Sequence, residues 1–319
     1  MPTRRGTLLS LGAITALALG GDPAAAADNP REVRIGYQKS GVLLIAKQQE
    51  LLENRFKPLG IEVKWVEFSF GPPLLEALNT GSIDYGAAGD APPIFAQAAK
   101  ANLLYVAALP GRGETQAIVV PANSLITSLV ELKGKKIGFA KASSAHNLTI
   151  AALESVGIRY EDIAPLYLPP ADAAAAFSRG ALDAWAIWDP YLAIAEITKG
   201  ARRLPVGEIA SAQNTFFLAN KEFTTRYPHI VSAVNAELAK ASVWAKSNRE
   251  EAAKLYAAAT GVDLAAMQRT VGRTEFVFSP VTEKVAIEQQ RIADRFHRLG
   301  LIPKPIVVRD IIWNWTPNS

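Results

Sequence analysis

Cysteine is absent from the 319-residue sequence, and histidine occurs only three times. The absence of cysteine excludes disulfide bonds, thiolate metal sites, a cysteine nucleophile and a lipid-modified N-terminal cysteine. The spacing of the three histidines, His146, His229 and His297, suggests no metal site, and the last two fall in predicted surface helices. We therefore expect a protein that works without a metal or another cofactor.

Motifs of common enzymes are missing as well. The sequence has no Gly-x-Ser-x-Gly elbow, no phosphate loop ending in Gly-Lys-Ser/Thr and no His-Glu-x-x-His pair. Its 49% hydrophobic and 20% charged content is typical of a globular protein. The formal charge of +4 is dispersed along the chain, which argues against nucleic-acid binding and leaves only a mild bias toward anions. The sequence favours a binding protein over an enzyme, and we assign no catalytic residues.

The N-terminus has the pattern of an export signal. An apolar run from Leu8 to Leu19 follows a pair of arginines and precedes three small residues, Ala25 to Ala27. The run is shorter than the roughly 20 residues that span a bilayer, so we predict that residues 1–27 are a cleaved secretory signal. The segment Thr3 to Leu8 also resembles a twin-arginine signal, although threonine stands where phenylalanine is preferred, and both export routes remain open. We expect a periplasmic protein.

Part of the sequence occurs twice. The segment Ile35-Gly36-Tyr37-Gln38-Lys39 is similar to Ile137-Gly138-Phe139-Ala140-Lys141. Four further positions recur at a constant offset: Gly81, Asp84, Ala87 and Asp90 as Gly180, Asp183, Ala186 and Asp189. Each copy has the pattern strand–helix–strand–helix–strand. The repeat predicts an α/β fold with two parallel, doubly wound sheets.

The two copies belong to lobes that the chain visits in turn. We predict lobe I at residues 28–116 plus 216–319 and lobe II at residues 117–215. Apolar runs at Ile118–Val120 and Thr215–Leu218 are suited to the crossings between the lobes, and two crossings make a hinge with a cleft. The rest of the chain is predicted to be helical and to pack on lobe I, with helices at 228–248, 250–259, 264–271 and 282–299.

Two segments have the character of anion cradles. Ser143 and Ser144 stand where a helix is predicted to begin, and Gly89-Asp90 precedes another predicted helix. A helix N-terminus offers unpaired N–H groups and about half a positive charge to an anion. Both serines have an alternative role as ordinary caps, and Asp90 and Asp189 fit the role of caps better than that of anion ligands.

Two further candidates flank these segments. Trp188, at the end of a predicted strand, is placed either as an apolar wall for a ligand or as part of the core. Glu114 precedes the first crossing and is either structural or, like Asp189, a partner for a cationic group on the ligand.

Four segments resemble the alkanesulfonate-binding proteins of ATP-driven importers: Ile35–Lys39, Gly89–Pro92, Ser143–Leu148 and Ala184–Tyr191. The resemblance covers nearly the whole mature chain, and Ser-Ser-Ala-His-Asn and Trp-Asp-Pro-Tyr are its specific parts. It implies a fold like that of type II periplasmic binding proteins, which closes on its ligand as a monomer. It also implies delivery of that ligand to a membrane permease driven by a cytoplasmic ATPase.

The matching positions imply a ligand site. A sulfonate is expected near Gln38, Gly89, Asp90, Ser143 and Ser144, with the pocket completed by His146, Asn147, Trp188 and Asp189. The wider group also binds taurine, nitrate and thiamine precursors, so taurine and nitrate remain alternative ligands. An enzyme on the same fold and a sensor of a membrane partner are alternatives from other classes, and the export signal argues against the enzyme.

Overall fold

The computed structural model describes residues 29–111, 113–207 and 213–317, and the predicted signal at residues 1–27 lies outside them. The strands are β1 (Glu32–Tyr37), β2 (Glu62–Glu67), β3 (Tyr85–Ala88), β4 (Leu103–Gly111), β5 (Gln116–Val120), β6 (Lys136–Phe139), β7 (Ala164–Tyr167), β8 (Ala184–Trp188), β9 (Arg202–Arg203) and β10 (Gln213–Asn220). They form two five-stranded sheets, in the orders β2-β1-β3-β10-β4 and β7-β6-β8-β5-β9.

The helices cover the faces of both sheets. They are α1 (Val42–Gln48), α2 (Leu51–Phe56), α3 (Gly71–Asn79), α4 (Ala91–Ala98), α5 (Ser144–Ser155), α6 (Pro170–Ser178), α7 (Tyr191–Lys199), α8 (Lys221–Arg226), α9 (Pro228–Ser247), α10 (Arg249–Thr260), α11 (Leu264–Arg273) and α12 (Glu283–Arg298). Short 3₁₀ helices lie at Lys57–Leu59, Leu129–Leu132, Tyr160–Asp162 and Val308–Ile311. Within the described ranges, no helix combines the length and the apolar character needed to cross a membrane.

The sheets are mixed, which differs in part from the prediction. The α/β fold with two lobes is confirmed, and β2-β1-β3 and β7-β6-β8 are parallel as expected. The prediction of wholly parallel sheets is wrong, because β10 runs antiparallel to β3 and β4, and β5 runs antiparallel to β8 and β9. These two strands arrive directly from the other lobe. They therefore begin at the edge where the parallel strands end, which forces the opposite direction.

The repeat is visible in matched hydrogen bonds. The backbone N–H of Arg34 donates to Asp84 Oδ2 at 2.8 Å, and that of Lys136 donates to Asp183 Oδ2 at 2.7 Å. In return, the backbone N–H groups of the two aspartates donate to the carbonyls of Arg34 and Lys136. Each aspartate thus fastens the turn before the third strand to the start of the first, so the recurring Gly-x-x-Asp pattern has a structural cause.

Lobe I consists of the first sheet with the helices packed on it, and lobe II of the second sheet with α5–α7. The predicted C-terminal helices are confirmed as α9 to α12, and they pack on the two faces of the first sheet. The chain enters the second sheet at Gln116 and returns to the first at Gln213. We propose that the lobes are divided at residues 116/117 and 215/216.

Candidate functional site

A cavity of about 170 Å³ lies between the lobes, at the carboxyl ends of the parallel strands. Gln38 follows β1, Gly89 follows β3, and Trp188 closes β8. Six of the residues predicted for the site line this cavity: Gln38, Gly89, Ser143, Ser144, Trp188 and Asp189. The others, Asp90, Glu114, His146 and Asn147, lie outside its lining. Ligands of open α/β sheets bind at this edge of the strands.

The N-termini of α4 and α5 meet across the cleft at Gly89. A Cβ atom at this position would lie 2.9 Å from Ser144 Cβ, closer than real Cβ contacts come, and 3.1 Å from Ser144 Oγ, which is tighter than most of them. Only glycine therefore allows the two helix ends to approach this closely. The first turn of α4 supplies few free amides, because Pro92 and Pro93 have no N–H and the N–H of Ala91 donates to Asp90 Oδ1. The end of α5 keeps the unpaired amides of its first residues, so α5 supplies the donors and both ends supply a partial positive charge.

The two serines differ in what their hydroxyls do. Ser143 Oγ donates to the carbonyl of Ala140 at 2.7 Å, so it fastens the loop before α5 and does not cap the helix with its side chain. Ser144 is the first residue of α5 and lines the cavity. Among the residues that the structure describes, its hydroxyl has no hydrogen-bond partner. Ser144 is thus the serine with a free donor at the cavity. Gln38 Nε2, on the facing lobe, donates to the carbonyl of Ala87 at 3.1 Å.

Asp90 and Asn147 form a buried pair behind the cradle. Asp90 Oδ1 accepts the N–H of Ala91 at 2.7 Å and so caps α4. Its other oxygen accepts Asn147 Nδ2 at 2.9 Å, across the boundary between the lobes. Asp90 is fully buried, and this burial raises the pKa of its carboxyl to about 7. Asn147 Oδ1 in turn accepts Arg295 Nη1 at 3.0 Å, so the pair is fully hydrogen-bonded and supports the cradle from behind.

The raised pKa of Asp90 predicts a pH-dependent stability. The pKa lies above the ordinary value of 3.8, so the folded state binds the proton of Asp90 more tightly than the unfolded state does. The resulting stabilisation is complete below pH 4 and is lost as the pH rises through about 7. Asp90→Asn removes this titration and leaves the other titrating groups in place. We expect the difference in melting temperature, wild type minus variant, to fall by roughly 2 °C or more between pH 5 and pH 8. A difference that stays constant across this range in thermal unfolding would contradict the assignment.

His146 lies in an aromatic cluster between the lobes. Its ring stacks on Phe139 at 5.1 Å and on Phe296 at 6.1 Å, and its Nε2 is 3.1 Å from Tyr160 Oη. Burial lowers the pKa of the imidazole to about 4, which keeps it neutral. The side chain points toward the helices of lobe I that cover α5 and away from the cavity. Its place is therefore in the joint between the lobes.

Trp188 and Asp189 line the cavity from lobe II. Trp188 is half-buried: it lines the cavity and also packs against both hydrophobic clusters of its lobe. It therefore serves both as a wall of the cavity and as part of the core. Asp189 Oδ1 accepts the N–H of Ala193 at 3.0 Å and caps α7. Burial raises its pKa to about 6, against the opposing effect of Arg273, whose Nη1 lies 3.2 Å from Oδ1. Glu114 is exposed and contributes its backbone carbonyl to Arg203 at 2.6 Å.

Several lining residues were missed by the sequence reasoning. They are Thr115, Gln213, Tyr256, Thr270, Arg273, Thr274, Glu275 and Phe276 among others. Six of these eight come from α10, α11 and the residues directly after α11, which lie outside the repeat and carry no strand that points to the cleft. The sequence does contain one signal for these residues. Thr270 and Arg273 share one face of α11 at i and i+3, next to buried apolar residues, and Thr274 follows at the end of the helix.

Aromatic side chains form another part of the cavity lining. Tyr256, Phe276 and Phe217 come from lobe I and face Trp188 of lobe II. The Tyr256 hydroxyl accepts the backbone N–H of Gly41 at 3.1 Å, which leaves the face of its ring as a wall. In the part of the chain that the structure describes, no cluster of His, Asp or Glu side chains is arranged to hold a metal ion. The cavity thus combines a polar cradle at one place with an aromatic surface beside it.

Comparisons with known proteins identify relatives over most of the chain. A model of the NMT1-like family matches residues 26–260. A protein of Escherichia coli (strain K12) named for binding aliphatic sulfonates is 41% identical over 294 residues, which are 92% of each chain. A protein of the same name from Bacillus subtilis (strain 168) is 35% identical over 98% of this chain and 95% of its own. The solved structure of an alkanesulfonate-binding protein from Xanthomonas axonopodis pv. citri, bound to MOPS, superimposes with a TM-score of 0.84 at 41% identity, covering 90% of this chain and 99% of the other.

Proposed function

Because this chain belongs to the NMT1-like family, and within it to the aliphatic sulfonate-binding proteins, we propose that it captures an alkanesulfonate and delivers it to an ATP-driven importer. The observation that carries the proposal is the convergence of two helix N-termini and the free Ser144 hydroxyl on one side of an aromatic-walled cavity. This arrangement suits a ligand with an anionic head and an apolar tail.

The sulfonate head is placed at Gly89 and Ser144. A sulfonate stays ionised at physiological pH and offers three oxygens, but it accepts hydrogen bonds less strongly than phosphate. Amides at helix ends and a hydroxyl are therefore adequate donors. Among the described residues, no lysine lines this cavity. Arg273 lines it, but its guanidinium donates to Asp189 and Glu196, so most of its charge is already neutralised.

The organic tail is placed against the aromatic wall. Trp188, Phe217 and Phe276 give apolar contact from both lobes, and burial of each methylene contributes about 0.8 kcal/mol. The same surface offers few partners to a small inorganic anion, which favours organic sulfonates over nitrate or sulfate.

The transport role combines this site with the predicted export signal. A binder that is released into the periplasm meets solutes before they reach the inner membrane. Its ligand then passes to a permease that is driven by a cytoplasmic ATPase. The binding protein itself acts as a monomer and catalyses no reaction. This role accounts for the two crossings between the lobes, since a cleft that opens and closes both captures and releases its ligand.

The proposal is tested by calorimetric titration of the purified mature protein. The ligands are ethanesulfonate, octanesulfonate, a zwitterionic sulfonate buffer, taurine, nitrate, sulfate and a carboxylate of matched length. We expect one sulfonate per chain and at least about tenfold tighter binding of octanesulfonate than of ethanesulfonate, because two buried methylenes suffice for that ratio. Selectivity for taurine or nitrate would keep the transport role and overturn the ligand. Absence of binding to the whole panel would overturn the proposal.

A further inference from the structure

One side of the cleft is closed by ion pairs between the lobes. Arg273, at the end of α11 in lobe I, donates to Glu196 Oε2 at 2.5 Å and to the two oxygens of Asp189 at 3.2 and 3.3 Å. Both acceptors belong to lobe II. The side chains of Arg273, Asp189 and Glu196 are 14%, 3% and 9% exposed. Opening the cleft on this side would separate these charges and return them to water.

Glu196 is the centre of this network. Arg269 of lobe I lies 3.1 Å from Glu196 Oε2, on the same helix as Arg273. Arg203 of lobe II lies 3.7 Å from the other oxygen, and it also donates to the backbone carbonyls of Glu114 and Gln116 at the first crossing. One carboxylate therefore connects α11 of lobe I, α7 of lobe II and the strand through which the chain passes between them.

The opposite side of the cleft has a different character. There α5 packs on lobe I through the ring of His146, which lies 6.2 Å from that of Phe95, and through Ile150, which belongs to a hydrophobic cluster of lobe I. Glu154 adds an ion pair with Arg295 at 2.9 Å. Separating this side would expose apolar surface and break the buried Asp90–Asn147 hydrogen bond, whereas the Arg273 side is joined by charged groups that water solvates well. The two crossings remain the hinge, and the Arg273 side is expected to separate more readily than the α5 side.

We propose that Glu196 is a positioning residue that holds Arg273 across the cleft, latches the closed lobes and thereby sets the rate of ligand release. For its ligand, this inference rests on the proposed function. The latch is suited to reversible use because the Coulomb energy of a buried pair is largely offset by the cost of desolvating its charges. Its net contribution is therefore small enough to be overcome each time that the ligand is released.

The test compares Glu196→Gln with a matched variant on the other side, Glu154→Gln. Both replace a carboxylate that pairs with arginines across the lobes, and neither side chain lines the cavity. We expect Glu196→Gln to raise the dissociation rate of octanesulfonate in stopped-flow fluorescence about tenfold, or about 1.4 kcal/mol. The association rate should stay within about twofold of the wild type. Glu154→Gln should change neither rate by more than about twofold, because apolar packing holds that side.

Small-angle scattering without ligand provides an independent readout. Glu196→Gln should have a larger radius of gyration than the wild type, since fewer molecules are held closed, while Glu154→Gln should match the wild type. If no sulfonate binds, the proposed function fails, and scattering alone decides the latch. A larger radius for Glu196→Gln then supports it, and an unchanged radius overturns it. If a sulfonate does bind, an unchanged dissociation rate overturns the latch, as does an equal effect of the two variants.

Discussion

Replacing Gly89 by alanine is expected to weaken sulfonate binding by at least about 100-fold, which corresponds to about 2.7 kcal/mol. The added methyl group would lie 2.9 Å from Ser144 Cβ, an atom fixed to the first turn of α5. A short side chain cannot swing away as the end of a lysine would. The variant must therefore hold the two helix ends apart, and the amides and hydroxyl at the α5 end then move away from a sulfonate held at Gly89.

The matched control is Gly207→Ala, because a Cβ atom at Gly207 meets no atom within 4 Å. Isothermal calorimetry should show wild-type affinity for this control and the loss for Gly89→Ala. Thermal unfolding should change little in either variant, since the clash at Gly89 lies between lobes that remain folded when they separate. Near-normal affinity of Gly89→Ala would show that the ligand does not need both helix ends.

Replacing Ser144 by alanine is expected to weaken sulfonate binding by roughly 10- to 100-fold, because a hydrogen bond to a charged group contributes about 1.5–3 kcal/mol. The hydroxyl lines the cavity and has no partner among the described residues, so its removal leaves no buried polar group unsatisfied in the ligand-free protein. The loss should be equal for ethanesulfonate and octanesulfonate, since the hydroxyl contacts the head that both share.

Ser155→Ala is the comparison for this variant. Ser155 ends the same helix, and its hydroxyl donates to the carbonyl of Ala152 at 2.7 Å, far along α5 from the cavity. Its removal should leave affinity within about twofold of the wild type in the same calorimetric titration. If Ser144→Ala binds as tightly as Ser155→Ala, the head group lies elsewhere in the cavity.

Most of the fold could be predicted from the sequence because its signals are local. The recurring Gly-x-x-Asp segments mark the turn before β3 and β8, and the alternation of apolar and polar residues marks α9 to α12. The direction of the strands at the crossings could not be predicted from the local sequence. Whether β5 and β10 run parallel or antiparallel depends on the side from which the chain arrives, and this follows only from the placement of both lobes.

The site was predictable only where it follows the repeat. Gly89, Ser144 and Trp188 stand at strand ends, where general rules place ligands. The orientation of His146 was not accessible, because every residue from Ser144 to Leu153 is buried. A helix buried all round has no polar face that would indicate which side chains point to the cavity. Arg273 was missed because its helix follows the second crossing, and tertiary packing alone brings it to the cleft.

The position of β10 has a consequence for the order in which the chain acquires its structure. This strand lies between β3 and β4 in the first sheet, yet it is synthesised after the whole of lobe II. Until then β4 has no neighbouring strand in the sheet and is separated from β3. Lobe II is continuous in the sequence and has the more local pairings, which favours its earlier folding. Completion of lobe I is therefore delayed until the second crossing has been made, and a chain truncated before Gln213 would carry a divided sheet with exposed strand edges.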